Sequence, residues 1–222
     1  MTRKNVKKND VTELVMILDR SGSMEGLEAD TIGGYNSMIK KQRKASGRVL
    51  VSTVLFDDEA EVLYDRVPLD KMPEMTKKDY YVRGCTALLD AVGGAIHHIN
   101  RVHKEEGSEA PSKTIFVITT DGLENASRKY SYEKVRKMVE KRKEKDGWEF
   151  IFIGANIDAI EVAGRFGIDS DRAANYHSDH LGTELNYEVL SEAVLEMRCS
   201  DERIGSSWKK QIDEDFRNRA DE

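Results

Sequence analysis

Short apolar runs alternate with helical stripes along most of this chain. Val11 to Leu18 is a brief run rich in aliphatic and β-branched residues, which predicts a buried strand. Leu27, Ile32, Tyr35, Met38 and Ile39 then fall near one helical face. The basic run Lys40 to Lys44 and Gly47 suit the end of that helix. Val49 to Phe56 predicts a second strand and Glu61 to Val67 a third. The short Asp57-Asp58-Glu59 connection makes them an antiparallel hairpin with a solvated turn. Residues 68–83 hold Pro68 and Pro73 and read as an irregular crossing.

A second helix is expected from about Ala87 to His103, buried along Leu88, Leu89, Val92, Ala95, Ile96 and Ile99. Gly93-Gly94 inside it is costly and predicts close packing on the sheet. After a surface loop, Lys113 to Thr120 reads as strand four, Ser131 to Lys145 as a helix and Trp148 to Gly154 as strand five. A short helix over Ile157 to Phe166, a sixth strand near Asn175-Tyr176-His177 and a helix over Thr183 to Met197 complete the pattern. Alternating strands and helices with one hairpin predict an α/β fold, its mostly parallel sheet covered by helices on both faces.

The 222 residues fit one large domain. The expected organisation is a mobile basic arm over residues 1–10, the domain over 11–199 and a charged, at most weakly helical tail over 200–222. Charged residues make up 34% and the net charge is -6, which argues against nonspecific nucleic-acid binding. Cys85 and Cys199 have neither metal-ligand nor disulfide-framework spacing, so a reduced compartment is the default. No secretory leader follows the basic start and no run reaches membrane-spanning length, so a soluble, cytoplasmic protein is expected.

The chemistry concentrates where strand one ends. Asp19, Ser21 and Ser23 put three oxygen donors within five residues, and Gly22 allows a sharp turn. Hard oxygen donors suit magnesium, manganese or calcium rather than zinc or copper. An exposed turn that caps the next helix would use the same residues. Two later stretches bear on the choice: Gly84-Cys85-Thr86 opens the second helix, and strand four ends at Asp121-Gly122.

Together these segments resemble the metal-ion-dependent adhesion site of the von Willebrand factor type A (VWA) family, which carries Asp-x-Ser-x-Ser, then Thr, then Asp, in that order. The resemblance runs over roughly residues 11–200. It is strongest toward bacterial single-domain cytoplasmic members, down to Asp-Arg-Ser-Gly-Ser-Met and Thr-Asp-Gly-x-Glu-Asn. It implies a doubly wound, Rossmann-like sheet of six strands in the order 3-2-1-4-5-6, strand 3 antiparallel, with Asp19 and Asp121 at one switch point.

It also implies a metal site of Asp19, Ser21, Ser23, Thr86 and Asp121, with the serines as direct ligands. Thr86 would switch between direct and water-mediated contact, and the aspartates would balance charge. Mg2+ (Mn2+ or Ca2+ in its place) would there accept a Glu or Asp carboxylate from a partner protein. As plainer roles, Thr86 could cap a helix and Asp121 could sit in a turn.

Other residues carry less. Glu124 and Asn125 are expected to support the loop or line the rim, Asp90 to be a first-turn helix acid, and the His97-His98 and His177/His180 pairs to be ordinary surface or core residues. Arg20 is expected at the rim, facing an acidic ligand. An alternative reading is a magnesium-dependent hydrolase or phosphotransferase at the same site. No phosphate loop, nucleophile elbow or neighbouring base supports it, so a non-enzymatic module is preferred. Members of this type also serve as scaffold components of stress-response, chelatase-like or phage-related complexes.

Overall fold

The computed structural model describes residues 10–200 and 202–219. The expected basic arm lies, apart from Asp10, outside the described residues. The strands are β1 (Val11–Asp19), β2 (Arg48–Phe56), β3 (Ala60–Pro68), β4 (Lys113–Thr120), β5 (Glu149–Gly154) and β6 (Ala173–Asn175). The helices are α1 (Glu28–Gln42), α2 (Leu88–Glu106), α3 (Tyr132–Asp146), α4 (Ala159–Arg165), α5 (His180–Cys199) and α6 (Lys210–Asn218). One six-stranded sheet runs β3-β2-β1-β4-β5-β6, with β3 antiparallel to β2 and every other pairing parallel.

Alternation along the strands splits the core into two layers. Leu14, Met16 and Leu18 of β1 face α1 and α5, packing with Tyr35, Met38, Leu190 and Val194. Val15 and Ile17 face the other way, onto Val92, Ile96 and Ile99 of α2 and Val135 and Val139 of α3. Every residue of β1 is buried, which explains its nearly continuous apolar run. Because β1 and β4 are neighbours and the chain winds outward from both, their carboxyl ends open a crevice at the switch point.

Several expectations need correction. The sixth strand lies two residues earlier than expected, at Ala173–Asn175, while Tyr176 is a buried residue after it. Gly93 answers to Tyr130 rather than to the sheet. A Cβ there would stand 2.4 Å from the Tyr130 ring, and one at Gly94 would meet nothing.

The tail is also more ordered than its charge suggests. A 3-10 turn over Ser206–Lys209 leads into α6, which packs on α5 and β6. Ile212 is buried, Trp208 Nε1 donates to the Asp171 carbonyl at 2.8 Å, and Phe216 stacks on His177. Trp208, Ile212 and Phe216 recur every four residues, a helical stripe that the surrounding charge conceals.

Candidate metal centre

Asp19 closes β1 and Asp121 follows β4, so pairing of the two strands brings the acids to the same edge. Asp19 is buried and fully engaged by donors. Its Oδ1 accepts the Ser21 amide at 2.7 Å and its Oδ2 accepts the Thr120 hydroxyl at 2.6 Å. Burial pushes its carboxyl up to about 6, against the opposing pull of the Thr120 and Ser21 hydrogen bonds, and Asp121 adds a repulsive charge. Asp121 is 1% exposed. Its Oδ2 accepts the Ser178 hydroxyl at 2.7 Å, whereas its Oδ1 is buried with no hydrogen-bond partner.

The hydroxyls gather between these acids. Ser21 Oγ and Ser23 Oγ are 2.9 Å apart. A Cβ added to Gly122 would lie 3.1 Å from both Ser23 Oγ and Thr86 Oγ1, so three segments of chain converge where Gly122 has no side chain. All five sequence-selected residues therefore sit at this crevice. Among the described residues no group of three or more His, Cys, Asp and Glu side chains is placed to hold a metal. This set has two acids and owes the rest of its oxygens to hydroxyls.

The helix-cap role does not fit Thr86, whereas Asp121 and Gly122 do lie in a bend. Thr86 does not cap α2, whose N-cap position is Ala87 with no side-chain bond. Its free amides are satisfied from the loop after β4 instead: Glu124 Oε2 accepts from Leu89 N at 2.7 Å and Ser127 Oγ from Asp90 N at 2.9 Å. Asn125 Oδ1 accepts from Thr86 N at 2.9 Å, while Asn125 N donates to Thr86 O at 3.1 Å. Glu124 and Asn125 thus tie the Thr86 segment to the Asp121 loop. Asp90 lies in the first turn of α2 and accepts the amides of Arg128, Lys129 and Tyr130.

Arg20 is the clearest correction. It does not reach the rim: it is 1% exposed. Its Nε bonds Asp57 Oδ2 at 2.6 Å and its Nη2 bonds Glu61 Oε2 at 2.7 Å. Asp57 is accordingly no solvated turn residue. It is buried and also holds Arg83 at 2.7 Å. Burial alone would raise the Asp57 carboxyl; the bonds from Arg83, the Glu59 amide and Arg20 hold it below the usual carboxylate range.

The Arg83 amide bonds the Arg20 carbonyl, and the Gly22 amide bonds the Gly84 carbonyl. Gly84 has φ +69, and a Cβ there would strike Asp58 Oδ2 at 2.2 Å. Buried ion pairs and a glycine turn thus hold the Ser21–Ser23 and Thr86 segments against each other. The sequence clue to Tyr80 is weaker still: its hydroxyl donates to the Asp19 carbonyl at 2.5 Å from within the irregular crossing.

No protein-family model matches the sequence, and no curated protein does. The architecture is that of VWA-like α/β folds, and similar solved structures include VWA domains. A von Willebrand factor type A protein from Catenulispora acidiphila is similar at TM-score 0.58 and 14% identity, over 83% of this chain and 42% of that one. Proximal thread matrix protein 1 from the mussel byssus, in a form with a zinc-occupied MIDAS motif, is similar at TM-score 0.55 and 14% identity, over 83% of this chain and 46% of that one. The PilB minor pilin from Streptococcus sanguinis is similar at TM-score 0.55 and 12% identity, over 85% of this chain and 62% of that one. The chain spans between 42% and 62% of the length of these structures. At such identities the likeness concerns the fold alone.

Proposed function

We propose that the chain is a divalent-cation-dependent protein-binding module. Its cation is Mg2+, with Mn2+ or Ca2+ as substitutes, held by Ser21, Ser23, Thr86, Asp19 and Asp121. The observation that carries this reading is a missing counter-charge. Two buried carboxylates share one crevice, their hydrogen-bond partners are hydroxyls and a backbone amide, and the nearest cation in sequence, Arg20, is committed to Asp57 and Glu61. Burying like charges without a cation is unfavourable. The unpartnered Asp121 Oδ1 and the space over Gly122 fit a small cation that prefers oxygen. The zinc-occupied MIDAS motif of the mussel protein adds support from a related fold.

When bound, a divalent ion here supplies an open Lewis-acid position for an oxygen from outside. The hydroxyls add no charge, so the crevice supplies at most two negative charges, and an acidic side chain of a partner protein completes the set. The serines act as ligands rather than nucleophiles on this reading. His98, His103, His177 and His180 pair with Asp65, Glu13, the Phe216 carbonyl and Asp30, and none of these bonds involves Ser21 or Ser23. We place the protein in the cytoplasm. Both cysteines are free, as suits a reducing compartment, and no described helix is long and apolar enough to cross a membrane.

Calorimetric titration with MgCl2 and MnCl2 tests the site. Saturable binding by the wild type and its loss in a Ser21→Ala/Ser23→Ala variant are expected. Unchanged binding in that variant would sink the assignment.

A further inference from the structure

Only half of the Gly93-Gly94 pair in α2 is explained by the chain's own packing. Gly93 makes room for the Tyr130 ring, whereas a Cβ on Gly94 would meet no atom within 4 Å. Glycine weakens a helix interior, and alanine would serve better at a position that touches nothing. Gly94 instead borders a cavity of about 630 Å3 between α2 and the β2–β3 hairpin.

The body of this cavity is apolar. Val15 of β1, Val54 of β2 and Val62 of β3 line it from the sheet, and Ala91, Ala95 and Ile99 line it from α2. The other five are buried by the protein itself, but Val62 is 54% exposed. A concave site of this size and lining suits a small organic molecule, which would cover Val62 and take the space beside Gly94.

The charged part of the lining gives the sign of that molecule. Asp58, Glu59, Asp65 and Asp90 supply four carboxylates, and Arg128 and Lys129 supply two cations. Three of the acids are already engaged. Asp58 accepts the Cys85 amide at 3.0 Å, Asp65 is bonded to the His98 ring at 2.8 Å, and Asp90 takes the amides of Arg128, Lys129 and Tyr130. Arg128 and Lys129 are exposed, and among the described residues neither side chain pairs with an acid. The uncommitted charge is therefore two adjacent cations against the single carboxylate of Glu59.

We propose that the cavity binds a small amphipathic anion, an apolar chain or ring that ends in a carboxylate. Its body lies over Val54 and Val62 beside Gly94, and its head meets Arg128 and Lys129. Apolar burial supplies most of the affinity, and the charge-assisted bonds fix the orientation. The site shares no residue with the candidate metal centre and does not depend on the cation-dependent reading above.

Calorimetric titration of the full chain with decanoate, decanol and decyltrimethylammonium, each below its micelle-forming concentration, tests the proposal. EDTA in the buffer keeps the carboxylate from reporting on a divalent ion. Decanoate is expected to saturate one site and to bind roughly tenfold more tightly than either of the other two. An Arg128→Gln/Lys129→Gln variant is expected to lose that tenfold advantage and to bind decanol as the wild type does. Gly94→Leu, whose side chain would fill the cavity, is expected to abolish decanoate binding with a urea midpoint equal to or above that of the wild type, since leucine is the better helix former. Should Gly94→Leu be destabilised instead, the glutamine variant decides by itself. No saturable decanoate binding, equal or tighter binding of the ammonium probe, or unchanged decanoate affinity in the glutamine variant would overturn the proposal. Unchanged affinity in a folded Gly94→Leu variant would do the same.

Discussion

Strand β1 buries a carboxylate near each end, and the two are treated in opposite ways. Glu13 and Asp19 lie on the same face of the strand, separated by Val15 and Ile17. The Glu13 side chain is 0% exposed and faces a cation: its Oε2 accepts from Arg66 at 2.8 Å, with His103 Nε2 3.2 Å away. Arg66 is bent into place at φ +51 beside an irregularity in the β2–β3 register, and its guanidinium also grips Glu106. Asp19 faces only hydroxyls, an amide and another acid. Each region has an unpartnered oxygen, Glu13 Oε1 at one end and Asp121 Oδ1 at the other. An orphaned oxygen is therefore not the distinguishing mark. The counter-charge is: at the Glu13 end the protein provides its own, and at the Asp19 end the hydrogen-bond partners are hydroxyls and an amide, so that on the proposed reading a bound cation supplies it.

The comparison can be broken most forcefully by Glu13→Ala. This change strands Arg66 and His103 without their shared anion and is expected to cost about 3 kcal/mol, the low end for a broken buried pair, since Arg66 retains Glu106. Urea unfolding measures it; a loss well under 1 kcal/mol would mean that the Glu13 end is no structural ion pair. Gly122→Ala sharpens the other end. Its methyl would press on Ser23 and Thr86 hydroxyls at 3.1 Å, so magnesium affinity should drop roughly tenfold with the unfolding midpoint in EDTA unchanged. Equal magnesium affinity would put the ion elsewhere.

Asp19→Asn should have a smaller effect on stability than Glu13→Ala, and of the opposite sign. It removes a buried charge but keeps an oxygen for the Ser21 amide. In EDTA at neutral pH the variant is therefore expected to gain on the order of 1 kcal/mol. The stabilisation that magnesium confers on the wild type should vanish at the same time. Both are read from thermal unfolding with and without the ion. A destabilised variant that still responds to magnesium would make Asp19 a structural acid like Glu13.

Much of this was legible along the chain. Apolar runs placed β1, β2, β4 and β5 because strands covered on both faces need almost no polar residues. The five candidate ligands were readable because each stands at a strand end or helix start that periodicity locates. Arg20 and Asp57 were misjudged for a shared reason. In sequence a charge looks solvated, and the two are 37 residues apart, so nothing local shows that each buries the other. The tail was misread similarly, since α6 and the turn before it gain their order from contacts with β6 and α5 rather than from their own composition.

The sequence by itself determined the chemistry on offer and the edge of the sheet where it gathers. Donor types are written in residue identities, and strand periodicity puts Asp19 and Asp121 at the ends of apolar runs. Only the tertiary structure decided which charges are neutralised. Whether a buried acid meets a cation or another acid depends on contacts between segments distant in the chain: Glu13 with Arg66, Arg20 with Asp57, and Asp19 with Thr120 and Asp121. Electrostatic energy depends on separation in space and on burial, and neither quantity exists until the sheet has formed.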